Sequence, residues 1–197
     1  MNRPAATLPD AYFSDIYASD PDPWGFTTSP YERDKYTATL AALPRARYRA
    51  AFEPACSIGV FTHALSERCD RLLATDLVAA AVTAARARCA DRPHVEIRQG
   101  AVPADWPEGR FDLIVLSEFL YFLAPADLAA LAQRVGDAIE PGGDIVLVHW
   151  LGETDFPHSG DGAAEGFIGS AAPFAGIFEQ MRTADYRIDV LRAGVVA

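Results

Sequence analysis

YRAAFEPACSIGV, residues 48–60, is the stretch on which the fold of this chain depends. Its apolar residues 50–52 predict the end of a short buried strand, and Phe61 begins a helical pattern. A strand, a turn of small residues and a helix start leave free backbone N–H groups beside a ligand, with the helix N-terminus facing it. The stretch therefore predicts the first turn of a Rossmann-like, nucleotide-binding fold.

The turn offers a ligand both side-chain and backbone groups. Glu53, at the strand end, supplies a carboxylate that accepts from an amine or a hydroxyl. Gly59 is retained, but Ala55 and Ser57 stand where a Gly-x-Gly-x-x-Gly dinucleotide motif would have glycines. The backbone can approach a ligand, although less closely than in that motif. Taken alone, such a strand–turn–helix is more often an ordinary structural connection than a binding site.

Asp76 ends a second apolar strand, residues 71–76, and follows Gly59 by 17 residues. An acid roughly 20 residues after the turn is the group that accepts from both hydroxyls of a ribose. The alternative is an N-cap for the helix predicted over residues 77–90. The paired spacing favours the ribose interpretation.

The remaining strands place polar groups at the same edge of the sheet. After a strand at 94–98, the loop 99–107 is expected near a nucleotide base, and Ala101, which lacks a side-chain acceptor, leaves backbone groups or Asp105 for contact. The strand 111–117 is followed by Glu118 and Tyr121, and the strand 144–150 carries His149. For each of these three side chains a capping, surface or core role remains the alternative.

The predicted architecture is α/β: a Rossmann-like, doubly wound, mainly parallel sheet of six or seven strands with helices on both faces. A helix is predicted over 60–68, another over 125–140 that Pro141-Gly142-Gly143 stops, a third within 163–180, and a closing strand over 186–191. Residues 45–197 form this domain.

Residues 1–44 are predicted to form an N-terminal helical extension or lid. Residues 1–11 are expected to be a loose tail, 12–17 a short helix and 29–43 a helix capped by Ser29. Trp24, in a Pro- and Gly-rich loop, either plugs the sheet end or stacks on a ligand. Arg33 or Lys35 could hold a ligand carboxylate, or be solvated charges.

Composition limits the classes of partner. The 197 residues carry a formal net charge of -10, which argues against nucleic acid and is compatible with a cationic or amine-bearing substrate. The three cysteines match neither a zinc site nor a disulfide framework, so no metal is expected and a reducing cytoplasm fits best. No signal peptide or membrane-spanning run is apparent, and no membrane partner is expected. Oligomeric state is not predicted.

Together, the strand–turn–helix opening, the acid after the second strand, the strand 111–115 and Pro141-Gly142-Gly143 resemble class I S-adenosylmethionine-dependent methyltransferases over residues 48–150. The segments 22–26, 31–36 and 117–123, and His149-Trp150 with the 155–157 loop, resemble the nodulation protein S group. That group N-methylates the free amine of a partly deacetylated chitooligosaccharide.

The resemblance implies S-adenosyl-L-methionine as cofactor, S-adenosyl-L-homocysteine as product and a small-molecule or oligosaccharide acceptor. The implied cofactor contacts are Trp24, Arg33, Glu53, Ala55, Ser57, Gly59, Asp76, Leu77, Ala101, Val102 and Ser117. Glu118 or His149 is expected to take the amine proton or orient its lone pair, and Tyr121 to position the acceptor. Ala101 replaces an acid that many members keep after the third strand.

Three other functions stay open. A methyltransferase acting on another small molecule would share every feature above. A catalytically silent binding domain could keep the fold without the chemistry. An NAD-linked oxidoreductase would share the fold, but the missing glycine motif argues against it.

Overall fold

The computed structural model describes residues 3–194, which form a seven-stranded sheet with helices on both faces. The helices are α1 (Asp10–Ser19), α2 (Pro30–Ala42), α3 (Val60–Leu65), α4 (Ala79–Arg88), α5 (Pro125–Ala138) and α6 (Gly160–Ala171). The strands are β1 (Ala51–Pro54), β2 (Leu72–Asp76), β3 (Val95–Gln99), β4 (Phe111–Ser117), β5 (Ile139–Trp150), β6 (Ala175–Arg182) and β7 (Tyr186–Ala193).

The strand order is β3-β2-β1-β4-β5-β7-β6. Strands β1 to β5 pair in parallel, and β7 alone runs antiparallel to both of its neighbours. The chain order reverses between β1 and β4, and open α/β sheets bind ligands at the carboxyl edge beside such a reversal. The predicted fold class is confirmed.

Two apolar layers cover the central strands, because each buried strand is apolar on both faces. On one face Phe52, Ile114 and Leu116 pack with residues of α5 and α6. On the other, Leu72 and Val115 pack with the Phe61 ring of α3 and with residues of α2. Both layers fix the β1 and β4 ends that carry the polar groups.

The turn after β1 passes through left-handed backbone conformations at alternate residues. Ala55, Ser57 and Gly59 have φ of 57°, 52° and 76°. A Cβ built on Gly59 would lie 2.9 Å from the Cα and Cβ of Ala85 in α4, so packing as well as φ requires glycine there. At Ala55 and Ser57 the left-handed strain of about 1–3 kcal/mol per residue is tolerated. Ala55 and Ser57, which stand where the motif has glycines, therefore still adopt left-handed backbone conformations.

The N-terminal segment is packed rather than loose, so the expectation for residues 3–9 of the tail is wrong. The Leu8 N–H donates to Phe122 O at 3.0 Å, and the Ala124 N–H donates to Thr7 Oγ1 at 2.8 Å. These partners lie more than a hundred residues away, which explains why local composition did not reveal them. Residues 1–2 lie outside the described part of the chain.

Several boundaries differ from the prediction. The helix expected over 12–17 is α1, Asp10–Ser19, and the strand expected from residue 144 begins at Ile139. The helix placed within 163–180 ends at Ala171, and residues 175–182 form the edge strand β6. Most of β6 is exposed, so it has no alternating apolar pattern and exists through its hairpin with β7. The helix predicted over 60–68 ends at Leu65 in a 3₁₀ turn, and the one over 125–140 ends at Ala138, where β5 begins.

Over residues 3–194, none of the helices has the length and apolar character to cross a bilayer.

Candidate functional site

A cavity of about 500 Å³ lies at the carboxyl edge of the sheet, where β1 and β4 diverge. The ends of β1, β2 and β4 form its floor, and α1, α2 and the loop between them form its roof. Eleven of the predicted site residues line it: Trp24, Glu53, Ala55, Ser57, Asp76, Leu77, Ala101, Val102, Ser117, Glu118 and Tyr121.

Asp76 lines the floor, and its carboxylate holds the turn in place. Oδ2 accepts from the Ser57 N–H at 2.8 Å, and Oδ1 accepts from the Val78 N–H at 2.9 Å. Burial raises the pKa of this carboxyl despite those two bonds. Since each carboxylate oxygen accepts two hydrogen bonds, each retains capacity for a ligand hydroxyl. The N-cap role that the sequence left as an alternative is wrong, because the N-cap of α4 is Val78 and has no side-chain capping bond. Asp76 instead holds the segment just before the helix.

Glu53 is the second acid of the floor. Its side chain is buried, and Oε2 has no hydrogen-bond partner. Burial, with a smaller contribution from the Asp76 charge, raises the pKa of Glu53 to about 8. A buried carboxyl with an unpartnered oxygen beside a cavity is an acceptor suited to a cationic or N–H-bearing ligand.

Aromatic side chains of the N-terminal segment form the roof. The Tyr17 hydroxyl is hydrogen-bonded to Ser57 Oγ, which joins α1 to the left-handed turn. The Tyr17 and Trp24 rings pack edge to face, with their centroids 5.5 Å apart. The centroids of the Trp24 and Phe26 rings lie 5.7 Å apart. Trp24 remains 41% exposed, so one part of its ring faces solvent and another the cavity.

Glu118 stands at the end of β4 in a left-handed conformation, with φ of 60°. Its Oε1 accepts from Lys35 Nζ at 2.6 Å, and its Oε2 accepts from the Tyr121 hydroxyl at 2.8 Å and the Trp150 N–H at 3.0 Å. The Tyr121 pKa is raised by burial and by the Glu118 charge. The structure thus brings the predicted pair Glu118 and Tyr121 into direct contact.

Lys35 is 2% exposed and bonds to Glu32 Oε1 at 3.1 Å as well as to Glu118. Two carboxylates already surround this ammonium, which leaves it poorly suited to hold a ligand carboxylate.

Three predicted residues do not line the cavity. Arg33 lies on the outer face of α2, its side chain 71% exposed and 3.9 Å from Asp34. Gly59 shapes the turn from beneath, against α4. His149 is fully buried beside the cavity, and burial lowers its pKa to about 4. Its ring lies 5.7 Å from the ring of Tyr121, which does line the cavity.

Ala101 is placed as predicted, but its backbone is already engaged. Its N–H donates to Asp105 Oδ2 at 2.9 Å, and its carbonyl accepts from the Asp105 N–H at 2.8 Å. Val102 is therefore a better candidate than Ala101 for contact with the base of a nucleotide.

Sequence reasoning missed Tyr17, Tyr31 and Glu32 as cavity residues. The spacing of Glu32, Lys35 and Thr39, all buried, marks one face of α2 as turned inward. The sequence shows only the helical spacing of these three residues, and their burial becomes visible in the structure. Over residues 3–194 no group of three potential metal ligands occurs.

The family model described as nodulation protein S matches residues 14–146, which is more than half of the chain. The chain belongs to the nodulation protein S family. A nodulation protein S from Rhizobium tropici is 33% identical over 130 residues, which cover 64% of this chain and 54% of that protein. The chain thus spans about half the length of the curated relatives it matches.

Solved structures agree with the family. A candidate methyltransferase from Pseudomonas syringae is 38% identical, with a TM-score of 0.73, covering 82% of this chain and 98% of that one. The N-methyltransferase NodS from Bradyrhizobium japonicum, solved with S-adenosyl-L-homocysteine, is 22% identical with a TM-score of 0.79, covering 93% and 97%. This second likeness establishes the shared fold.

Glu53 generates a pH prediction for the ligand-free protein. Its folded pKa of about 8 lies above the ~4.3 of an unfolded glutamate, so the folded state binds the extra proton between those values. Wild-type stability should fall as pH rises through this window and level off above it. The advantage of Glu53→Gln over wild type in melting temperature should therefore grow from about pH 5 to about pH 8, measured by calorimetry. A difference that stays constant with pH would contradict it.

Proposed function

We propose that the protein is an S-adenosyl-L-methionine-dependent methyltransferase. The observation that carries this proposal is Asp76: a buried carboxylate at the end of β2, on the cavity floor, with acceptor capacity left on both oxygens. A ribose diol is a bidentate donor that suits such a group. Family membership supports the same activity.

The charge of the cavity supports a cationic cofactor. Five acids line it, Asp10, Glu32, Glu53, Asp76 and Glu118, against the single base Lys35. A sulfonium is positively charged, and a cavity in which acids outnumber bases favours it over the pyrophosphate of a dinucleotide. Glu53, with its pKa of about 8, is largely protonated at neutral pH and contributes its charge when a cation binds. Ala55 and Ser57 in place of motif glycines also disfavour NAD, because a Cβ restricts close backbone approach to pyrophosphate.

We assign the cofactor contacts as follows. Asp76 accepts from the ribose hydroxyls, and Glu53 from the methionine amino group. Trp24, Leu77 and Val102 surround the adenine, while Ala55, Ser57 and Ser117 border the sulfur region. Ala101 and Gly59 fix the loops rather than contact the ligand. Arg33 contacts the methionine carboxylate only if its side chain turns inward from solvent.

The acceptor we propose is the free amine of an amino sugar or of a deacetylated chitooligosaccharide. The support is the family, together with the name N-methyltransferase that its structural relative from Bradyrhizobium japonicum carries. The acidic cavity is compatible with an amine. The acidic cavity would equally suit another small-molecule acceptor that carries an amine.

Methyl transfer is an in-line displacement in which the protein aligns the reactants and excludes water. The neutral amine donates its lone pair to the methyl carbon as the carbon–sulfur bond breaks. The bonding electrons stay on sulfur, so the sulfonium becomes a neutral thioether and the positive charge moves to the methylated nitrogen. That nitrogen then releases a proton to regain neutrality.

Glu118 is our candidate for orienting the amine and receiving its proton. It lines the cavity, and three of its roughly four acceptor sites are used by protein donors. Tyr121 positions the acceptor from the adjacent wall. His149 is buried and does not line the cavity, so we propose that it supports Tyr121 rather than acting as a base.

We further propose that residues 1–44 act as a lid over the cofactor, with residues 45–197 as the methyltransferase domain. The roof contacts of Tyr17 and Trp24 support this division. A reducing cytoplasm is the proposed location, and the unpaired, buried Cys56, Cys69 and Cys89 are compatible with it.

Asp76→Asn tests the cofactor assignment. Asp76→Asn removes the negative charge that accepts the two ribose hydrogen bonds, so the binding free energy should weaken by about 3 kcal/mol. The affinity for S-adenosyl-L-homocysteine, measured by calorimetric titration, should therefore fall approximately 100-fold. Asp112→Asn is the matched control. Asp112 also accepts from two backbone N–H groups, of Arg49 and Ala50, but at the start of β4. Both variants should lose stability, and only Asp76→Asn should lose the ligand. Equal affinities would refute the ribose assignment.

Glu118→Gln and His149→Phe separate the two candidate bases. With fully deacetylated chitotetraose as acceptor, Glu118→Gln should lower turnover about 100-fold while the dissociation constant for S-adenosyl-L-homocysteine changes less than about threefold. His149→Phe should keep turnover within about threefold, because its ring does not face the cavity. The reverse pattern would make His149 the base, and no transfer by the wild type would favour a silent binding domain.

A further inference from the structure

The wall formed by α2 and the end of β4 carries a buried charged cluster that the cofactor assignment leaves unused. We call Tyr31, Glu32, Lys35 and Glu118 the cation cluster. Lys35 Nζ bonds to Glu32 Oε1 at 3.1 Å and to Glu118 Oε1 at 2.6 Å. Two carboxylates and one ammonium leave one uncompensated negative charge.

That excess charge is costly in the absence of a ligand. Glu32 is 7% exposed, and burial raises its pKa even though Lys35 acts in the opposite direction. Buried charges are normally paired, because desolvation of an unpaired one costs several kcal/mol. A second cation would complete the pairing.

Two atoms of the cluster have no hydrogen-bond partner and could accept from such a cation. The Tyr31 hydroxyl and Glu32 Oε2 are buried, belong to cavity-lining residues and have no hydrogen-bond partner. Glu32 Oε2 lies 3.0 Å from Lys35 Nζ, close enough for an ion pair but outside hydrogen-bond geometry. With the free acceptor site of Glu118, the cluster offers three oxygens, as many as an alkylammonium has N–H donors.

We infer that the cation cluster is the subsite that binds the acceptor amine in its protonated form, and that Glu32 sets the specificity for amines. The inference rests on the proposed methyltransferase function. An acetamido group is neutral and has one N–H, so it cannot satisfy the cluster. A carboxylate would be repelled by the net charge, which separates this subsite from one for the methionine carboxylate.

The bound ammonium is the resting form of the acceptor. Before methyl transfer the bound ammonium releases one proton to solvent, and the neutral amine, with its lone pair on nitrogen, is the form that reacts. Glu32 is therefore a specificity residue whose loss should act on acceptor affinity before it acts on turnover.

The test measures acceptor affinity in the protein saturated with S-adenosyl-L-homocysteine, by calorimetric titration with two tetramers, fully deacetylated and fully acetylated chitotetraose. Wild type should bind the deacetylated tetramer at least about tenfold more tightly. Glu32→Gln should bind the deacetylated tetramer about tenfold or more weakly than wild type does, while its affinity for the acetylated tetramer should not change. Asp34→Asn removes the same charge from a side chain that is 78% exposed on the same helix, and should change neither.

A second variant distinguishes a binding role from a structural one. Lys35→Met removes the built-in ammonium, so the acceptor ammonium can take its place and affinity should stay at or above the wild-type value. A merely structural cluster predicts that Glu32→Gln and Lys35→Met weaken binding alike. Tyr31→Phe should weaken the affinity for the deacetylated tetramer about threefold. It replaces Glu32→Gln as the test variant if Glu32→Gln fails to fold.

Two results would overturn the inference: no preference for the deacetylated tetramer, or equal loss of affinity in Glu32→Gln and Lys35→Met. Failure of the wild type to bind S-adenosyl-L-homocysteine would instead overturn the proposed function itself. Normal binding of S-adenosyl-L-homocysteine with amine affinity independent of Glu32 would remove only the cation cluster.

Discussion

The hydrogen bond from the Ser57 N–H to Asp76 Oδ2 is the contact on which the site depends. It joins the turn after β1 to the end of β2 and holds a backbone path that passes three times through the left-handed region. Two of those residues carry a Cβ, so the path persists because surrounding contacts impose it. The same bond fixes the acid on the cavity floor and, through Ser57 and Tyr17, the first helix of the roof.

Negative charge in a low-dielectric cavity explains the division of the site. Glu53 and Asp76 lie at the ends of neighbouring strands, while Glu32 and Glu118 share Lys35 between α2 and the end of β4. Each group is expensive to bury alone and favours a ligand that brings positive charge. In the proposed assignment, the methionine amino group of the cofactor brings positive charge to Glu53, and the acceptor amine brings it to Glu32 and Glu118.

Local signals were sufficient for most of the fold. The apolar strands β1, β2 and β4, and the position of Asp76 at a strand end, follow from patterns within a few residues. The packed tail and β6 do not, because both depend on partners distant in sequence. The Lys35–Glu118 ion pair joins residues that are 83 positions apart in the chain. The sequence identified each as a candidate site residue but could not predict that they pair. His149 was placed at the correct strand end, yet its side chain lies in the core rather than in the cavity.

The crystal structure of the protein soaked with S-adenosyl-L-homocysteine gives the most direct measurement. Both ribose hydroxyl oxygens should lie within about 3.2 Å of the Asp76 carboxylate, with the Ser57 and Val78 N–H bonds retained. A nucleoside bound elsewhere, with Asp76 contacting only those two backbone groups, would contradict the account.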